Sequence, residues 1–210
     1  MKVLKLIFTF LFIFLISPRG IAQTNAEILF HEQRARTKKI LASEGVSSIS
    51  VTRTSYFTSN INLLGDMSSD SIVYSKDGSY YRKINFPDGK TWTTEYKNEI
   101  LKVNGEVLNR IPNFLKNDDL FYFIFRIPRY DSCFFQKSYH CDCTLNDKKF
   151  ELHFNENQEL IKIISSIDTK EFSEFDEVFG LSYPTRIKGL IESDNITSDV
   201  KITSLTVFKK

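Results

Sequence analysis

SIVYSKDGSYYRKINFPDGKTWTTEYKNEILKVNGEVLNRI, residues 71–111, is a chain of short alternating segments cut by tight turns. In residues 80–86, Tyr80, Ile84 and Phe86 fall on one face and Lys83 and Asn85 on the other, the period of two of a half-buried strand. Lys76-Asp77-Gly78, Pro87-Asp88-Gly89 and Asn104-Gly105 supply the positive φ, and in one case the preset proline φ, that hairpin turns require. The stretch predicts a meander of antiparallel strands within a large sheet.

The alternation returns downstream. Phe150, Leu152 and Phe154 line one face against Lys149, Glu151 and His153 on the other. A turn at Asn155-Glu156-Asn157-Gln158 follows, and residues 160–164 come back. Residues 172–178, 183–191 and 200–208 are three more strand candidates. Upstream, residues 46–60 begin the sheet, with Ile49 and Val51 among Ser and Thr, a composition that suits an exposed or edge strand. The segment 60–65 reads equally as strand, bulge or loop.

Two segments break the period. Residues 25–43 predict a helix capped by Asn25, with Glu27 and Glu32 toward its start and Arg34, Arg36, Lys38 and Lys39 toward its end, an order that complements the helix dipole. Gly45 marks its stop. In residues 112–127, Phe114, Leu115, Leu120, Phe121, Ile124 and Phe125 fall near helical spacing, Asn117 or Asp118 can cap, and Pro128 disfavours continuation. One or two short helices fit here. They either close the core or form a lid over an apolar cavity, and aromatic density favours burial.

Residues 1–22 have the layout of a secretory signal peptide: Lys2 and Lys5, an apolar run to Ile16, and small residues ending at Ala22. The run is shorter than the roughly 20 residues that span a bilayer. No cysteine follows the cleavage point, so a soluble exported chain, periplasmic or secreted, is expected from about Gln23. Without Lys2, Lys5 and Arg19, the 28 basic groups fall to 25, against 26 acidic ones. Near neutrality argues against a nucleic-acid or anionic-membrane binder. Residues 23–210 suffice for one core and are read as one domain and a monomer. Asn195-Ile196-Thr197 is a glycosylation sequon by pattern only.

All three cysteines fall in residues 131–145. Oxidising conditions would pair two of them. Cys141 and Cys143 share a strand face, ~6.6 Å apart along the strand, which strains a mutual bridge. Cys133 is the natural partner of one of them across a hairpin, leaving one thiol over. A zinc site of these cysteines with His140 and His153 has suitable donors. However, alternation puts His140 on the face opposite Cys141 and Cys143, and no CxxC pair exists, so a disulfide with a spare thiol is favoured and no metal is expected. His153 reads as a lone solvated histidine with no Ser or acid at a motif spacing. The sequence shows no nucleophile, base and orienter set and no Gly-rich phosphate loop, so no enzyme activity and no cofactor are expected.

An exported chain with an N-terminal helix ending at Gly45, then YSKDGSYYRKINF (74–86), DGKTWTTEY (88–96), a short helix, FELHFNENQELIKI (150–163) and FDEVFGLSYPTRIKG (175–189) resembles the LolA-like superfamily of outer-membrane lipoprotein-sorting and carrier proteins. The order covers most of the mature chain. The resemblance implies an α+β fold: a strongly curved antiparallel sheet, an incomplete β-barrel, with the N-terminal helix and a short helical lid on its concave side. It also implies a carrier whose apolar concavity holds a lipid, a lipoprotein acyl chain or another apolar ligand, with Trp92, Phe121, Phe125, Phe150, Leu152 and Phe154 as candidate lining and lid residues. An envelope protein is a further candidate partner. The alternative is an envelope interaction or structural protein whose sheet is filled and holds no ligand.

Overall fold

A computed structural model describes residues 18–59, 68–109, 118–137, 139–191 and 196–210. It opens with helix α1 (Pro18–Ser43), followed by β1 (Val46–Ser59), β2 (Ser68–Ser75), β3 (Tyr80–Asn85), β4 (Thr91–Lys97), β5 (Ile100–Val103) and β6 (Glu106–Val107). A 3-10 helix (Asp118–Phe125) leads to β7 (Ser132–Lys137), β8 (His140–Leu145), β9 (Lys148–Phe154), β10 (Leu160–Ser165), β11 (Asp168–Val178), β12 (Leu181–Ile191) and β13 (Ile196–Lys209).

The strands form one antiparallel sheet in the order β6-β5-β4-β3-β2-β1-β13-β12-β11-β10-β9-β8-β7. The first six run out from the centre to one edge, and the chain then passes through the 3-10 helix to the opposite edge. The last seven walk back until β13 pairs with β1. The sheet stays open between β6 and β7, a curved incomplete barrel whose one edge is a strand of only two residues.

Turn chemistry sets this register. Asn98-Glu99, Asn104-Gly105, Asn146-Asp147 and Phe179-Gly180 each hold both residues at positive φ, between 50° and 86°, the two-residue hairpin whose twist matches the strands. Gly78 and Gly89 take the positive φ at the ends of Lys76-Asp77-Gly78 and Pro87-Asp88-Gly89.

Two expectations are corrected, the capping and end charges of the first helix and the edge position of β1. Helix α1 begins at Pro18, so Asn25 lies inside it rather than capping it. Its first turn carries no acid and its last no base, so the charges do not complement its ends as foreseen. Pro18 to Ala22, assigned above to the targeting segment, form its first turns, while residues 1–17 lie outside the described residues. Strand β1 is central rather than an edge, paired along its length with β2 and β13. A single-layer sheet leaves one face of every strand in water, so Ser48, Ser50 and Thr52, alternating with buried Ile49 and Val51, mark the outer face of β1 and not an edge. Of residues 112–127, the described part is a 3-10 helix starting at Asp118. The segment 60–65 lies outside the described residues.

Gly45 ends α1 as the sequence predicts. It lies at φ 67°, and the N–H groups of Glu44 and Gly45 donate to the carbonyls of Ile40 (3.0 Å) and Ala42 (3.1 Å).

Candidate functional site

The concave face is covered by two pieces of chain, and beneath each lies a separate core cluster. Under the 3-10 helix, Phe121, Ile124 and Phe125, joined by Leu41 from the end of α1, pack on Val46, Ile49, Val51, Ile72, Tyr74, Tyr96, Leu101, Leu181 and Tyr183. Ala26 and Phe30 of α1 pack on Cys133, Cys141, Cys143, Leu152, Phe154, Leu160, Phe172 and Ile187. Among the described side chains of α1, from Ala26 on, the buried ones are Ala26, Phe30, Thr37 and Leu41, which follow helical spacing and include one hydroxyl.

Two clefts flank α1. One, of about 230 Å³, lies beside Gln33, Arg36 and Thr37 and is walled by Phe125, Arg126, Phe154, Leu160, Phe175 and Leu181. The other, of about 320 Å³, lies beside Phe30, His31, Arg34 and Lys38 and is closed by Pro128, Arg129, Tyr130 and Cys133.

The six candidate lining residues divide among these regions. Phe121 is fully buried in the plug under the 3-10 helix, and Leu152 is fully buried under α1. Phe125 and Phe154 meet at the smaller cleft, where Phe154 also packs against Phe30 with ring centroids 5.9 Å apart. Phe150 is half-buried against Tyr130 (5.3 Å). Trp92 stands apart. Its pairing with Ile84, itself paired with Asp70, puts it on the concave side, yet it is 45% exposed and lines neither cleft.

Sequence reasoning did not single out Arg126. Its guanidinium lies over the rings of Phe123 (4.6 Å) and Phe172 (4.9 Å), its Nε is buried without a hydrogen-bond partner, and the residue sits at φ 51°. Burial pulls its pKa down to about 10, with Arg53 nearby acting in the same direction and Tyr74 opposing. An arginine closing the run Phe121-Tyr122-Phe123-Ile124-Phe125 was the available signal: a cation among aromatic side chains is anchored by their faces.

Nearby, Asp70 is 2% exposed and joins three strands. It accepts from Arg53 Nε and Nη2 (2.8 and 2.6 Å) and from Arg82 Nε and Nη2 (2.9 and 2.6 Å). Burial alone raises the Asp70 pKa, but the hydrogen bonds and charges of Arg53 and Arg82 outweigh it and hold the carboxyl below the usual carboxylate range.

Cys133 is bonded to Cys143, its partner in the β7–β8 register, with Cα atoms 4.1 Å apart. Cys141 is the buried free thiol, pushed up to about 12 by burial with a contribution from Asp142. The cysteines point into the core. His140 and His153 stand on the outer face of β8 and β9, where Glu151 lies 2.6 Å from His153, so His153 is not a lone histidine. Counting outward from the Asn146-Asp147 turn brings His140 opposite His153, a signal the sequence carried.

No family model matches the sequence, and no curated protein matches it. Among solved structures, the chain is similar to a LolA superfamily protein from Nitrosomonas europaea, at 14% identity and TM-score 0.55, over 82% of this chain and 94% of that one. It is also similar to a DUF1329 family protein from Desulfovibrio piger, at 10% identity and TM-score 0.50, over 85% and 92%. At such identities the likeness is one of architecture: the chain has the LolA-like fold, an open antiparallel sheet wrapped around a helix.

Proposed function

We propose that this is a non-enzymatic exported, periplasmic carrier that holds an acyl chain or similar apolar ligand between α1 and the concave face. The observation that carries the reading is the mismatch between the two surfaces. An extensive apolar sheet face is covered on one half by a helix that, among its described side chains, buries Ala26 and Phe30 in the core there, with a cleft on each side. Small-molecule pockets run from about 300 to 1,000 Å³, and the clefts of about 230 and 320 Å³ stand below and at the bottom of that range, so in this reading α1 lifts to admit a long acyl chain. The ligand would then replace the few contacts that α1 gives up, at about 25 cal/mol per Å² of apolar surface buried. Arg126, with its unpaired Nε–H at the inner wall of the smaller cleft, suits an acidic head group on such a chain.

A second reading, an envelope interaction protein with a filled sheet, is favoured by the plug itself, since Phe121, Ile124 and Phe125 occupy the other half of the concavity. One experiment separates the two. The exported protein, purified without detergent, is weighed by native mass spectrometry before and after organic extraction and titrated with a fluorescent fatty acid. Co-purifying acyl species or saturable probe uptake is expected, lost in Phe154→Asp and retained in Trp92→Ala. A clean apo mass together with no probe uptake by the wild type would move the assignment to the interaction protein.

A further inference from the structure

The outer face of β8 and β9 carries a cluster that the carrier reading does not use. Direct cross-strand pairing sets His140 opposite His153 and Asp142 opposite Glu151, so four polar side chains share one patch on the side of the sheet away from the core. The two imidazoles stack with centroids 4.5 Å apart. Glu151 Oε1 lies 2.6 Å from His153 Nε2 and 3.3 Å from His140 Nε2, so one carboxylate oxygen faces both rings. Asp142 Oδ1 is 3.5 Å from His140 Nε2. Despite these neighbours, His140 Nε2 is buried without a hydrogen-bond partner, a lone polar atom pointing at carboxylate oxygens with which it is not aligned.

We propose that His140, His153 and Glu151 form a binding site for a divalent first-row transition cation of the zinc and copper(II) type. One donor atom from each residue falls within 4.8 Å of the other two. Bonds of about 2.0–2.1 Å to tetrahedral zinc place neighbouring donors about 3.3 Å apart, so small side-chain rotations are enough to bring the three onto one ion. Two imidazoles and a carboxylate are the donor types that such ions take, whereas calcium and magnesium prefer oxygen alone. A cation would give His140 Nε2 the partner it lacks. Asp142 stands at the rim as a fourth oxygen, and Gln136 Nε2 donates to its other carboxylate oxygen, holding it in place as an outer hydrogen bond does around metal ligands.

The neighbouring charges are compatible with a cation. Lys162, opposite His153, is tied to Glu171 at 3.0 Å, and Lys137, opposite His140, stands at the exposed edge strand. The site also differs from the cysteine-based one considered from the sequence. The Cys133–Cys143 disulfide and Cys141 lie on the opposite face of the same strands and take no part.

The test is calorimetric titration of the untagged exported chain with zinc chloride, and separately with copper(II) chloride. One equivalent should bind. His140→Ala and His153→Ala should each weaken it at least 100-fold and Glu151→Gln at least tenfold, while His31→Ala and Cys141→Ser leave it unchanged. The chain has three histidines, so proton NMR of the wild type gives a check that needs no variant: zinc should shift the ring protons of His140 and His153 and leave those of His31 in place. Absence of uptake of either metal, retention of binding in the doubly substituted His140→Ala/His153→Ala chain, or a shift confined to His31 would overturn the proposal.

Discussion

The two halves of the concave face are closed in different ways. Under the 3-10 helix, Phe121 is wholly buried, Phe125 and Ile124 nearly so, and Tyr74, Tyr80 and Tyr96 stack in a row across β2, β3 and β4 at 6.5 and 6.2 Å. Under α1, the cover is a helix with few apolar positions, flanked by clefts, and the edge of the sheet is tied by a disulfide instead of by a plug. The first half is closed by three large side chains of the 3-10 helix, whereas the described part of α1 gives the second half one large buried side chain, Phe30, and the small Ala26.

The largest effect that sharpens this contrast is in the plug. Phe121→Ala should cost about 3–5 kcal/mol of unfolding free energy, because the surrounding side chains cannot collapse into the space. Phe30→Ala, beside the 320 Å³ cleft, should cost no more than the lower end of that range. Equal losses in urea denaturation would erase the distinction between the halves.

Next comes the Asp70 clamp. Asp70→Asn leaves Arg53 and Arg82 without their carboxylate and should cost about 2–4 kcal/mol at neutral pH, moderated because Arg82 reaches water. The pH sign follows from the depressed carboxyl. Its stabilisation is complete above the ordinary carboxylate pKa of about 4 and is lost as pH falls through the lower folded value. Wild type and Asp70→Asn should therefore converge in stability only in acid below about pH 4. A gap that instead widened there would place the clamp's contribution elsewhere.

The smallest effect concerns the bridge. Cys133 and Cys143 are separated by 10 residues, and closing so short a loop in the unfolded chain is worth about 2–3 kcal/mol. Thermal melts with and without reductant, against the Cys133→Ser/Cys143→Ser double variant, should show that loss, while Cys141→Ser should leave the difference between the two conditions intact. A bridge that moved to Cys141 would show as retained redox sensitivity in Cys143→Ser.

Much of the sheet was legible because its signals are local. Asn-Gly, Asp-Gly and alternating aromatics state where the chain turns and which side chains share a face, and the strands at 80–85, 91–97, 148–154 and 181–191 follow from that. Less of the binding region was legible. Leu152 and Phe154 were found on the inner face by period two alone, but Trp92, of the same apparent quality, is largely exposed, since inward orientation does not guarantee that anything packs above it. Arg126 and the pairing of His140 with His153 went unread for the opposite reason: each depends on neighbours brought in by a turn or by another element.

By itself, the sequence determined the antiparallel meander, the stop of the first helix at Gly45 and the separation of the cysteine face from the histidine face on β8. These rest on backbone sterics and on the alternation of a strand, both of which act within a few residues. Only the tertiary structure decided that the Ser- and Thr-rich β1 is the central strand, that Cys143 rather than Cys141 is bridged, and that a 3-10 plug and a sparsely apolar helix divide the concavity between them. The first and last depend on contacts between segments distant in the chain, such as β1 with β13, and the bridge on the register of the β7–β8 hairpin, none of which a local pattern records.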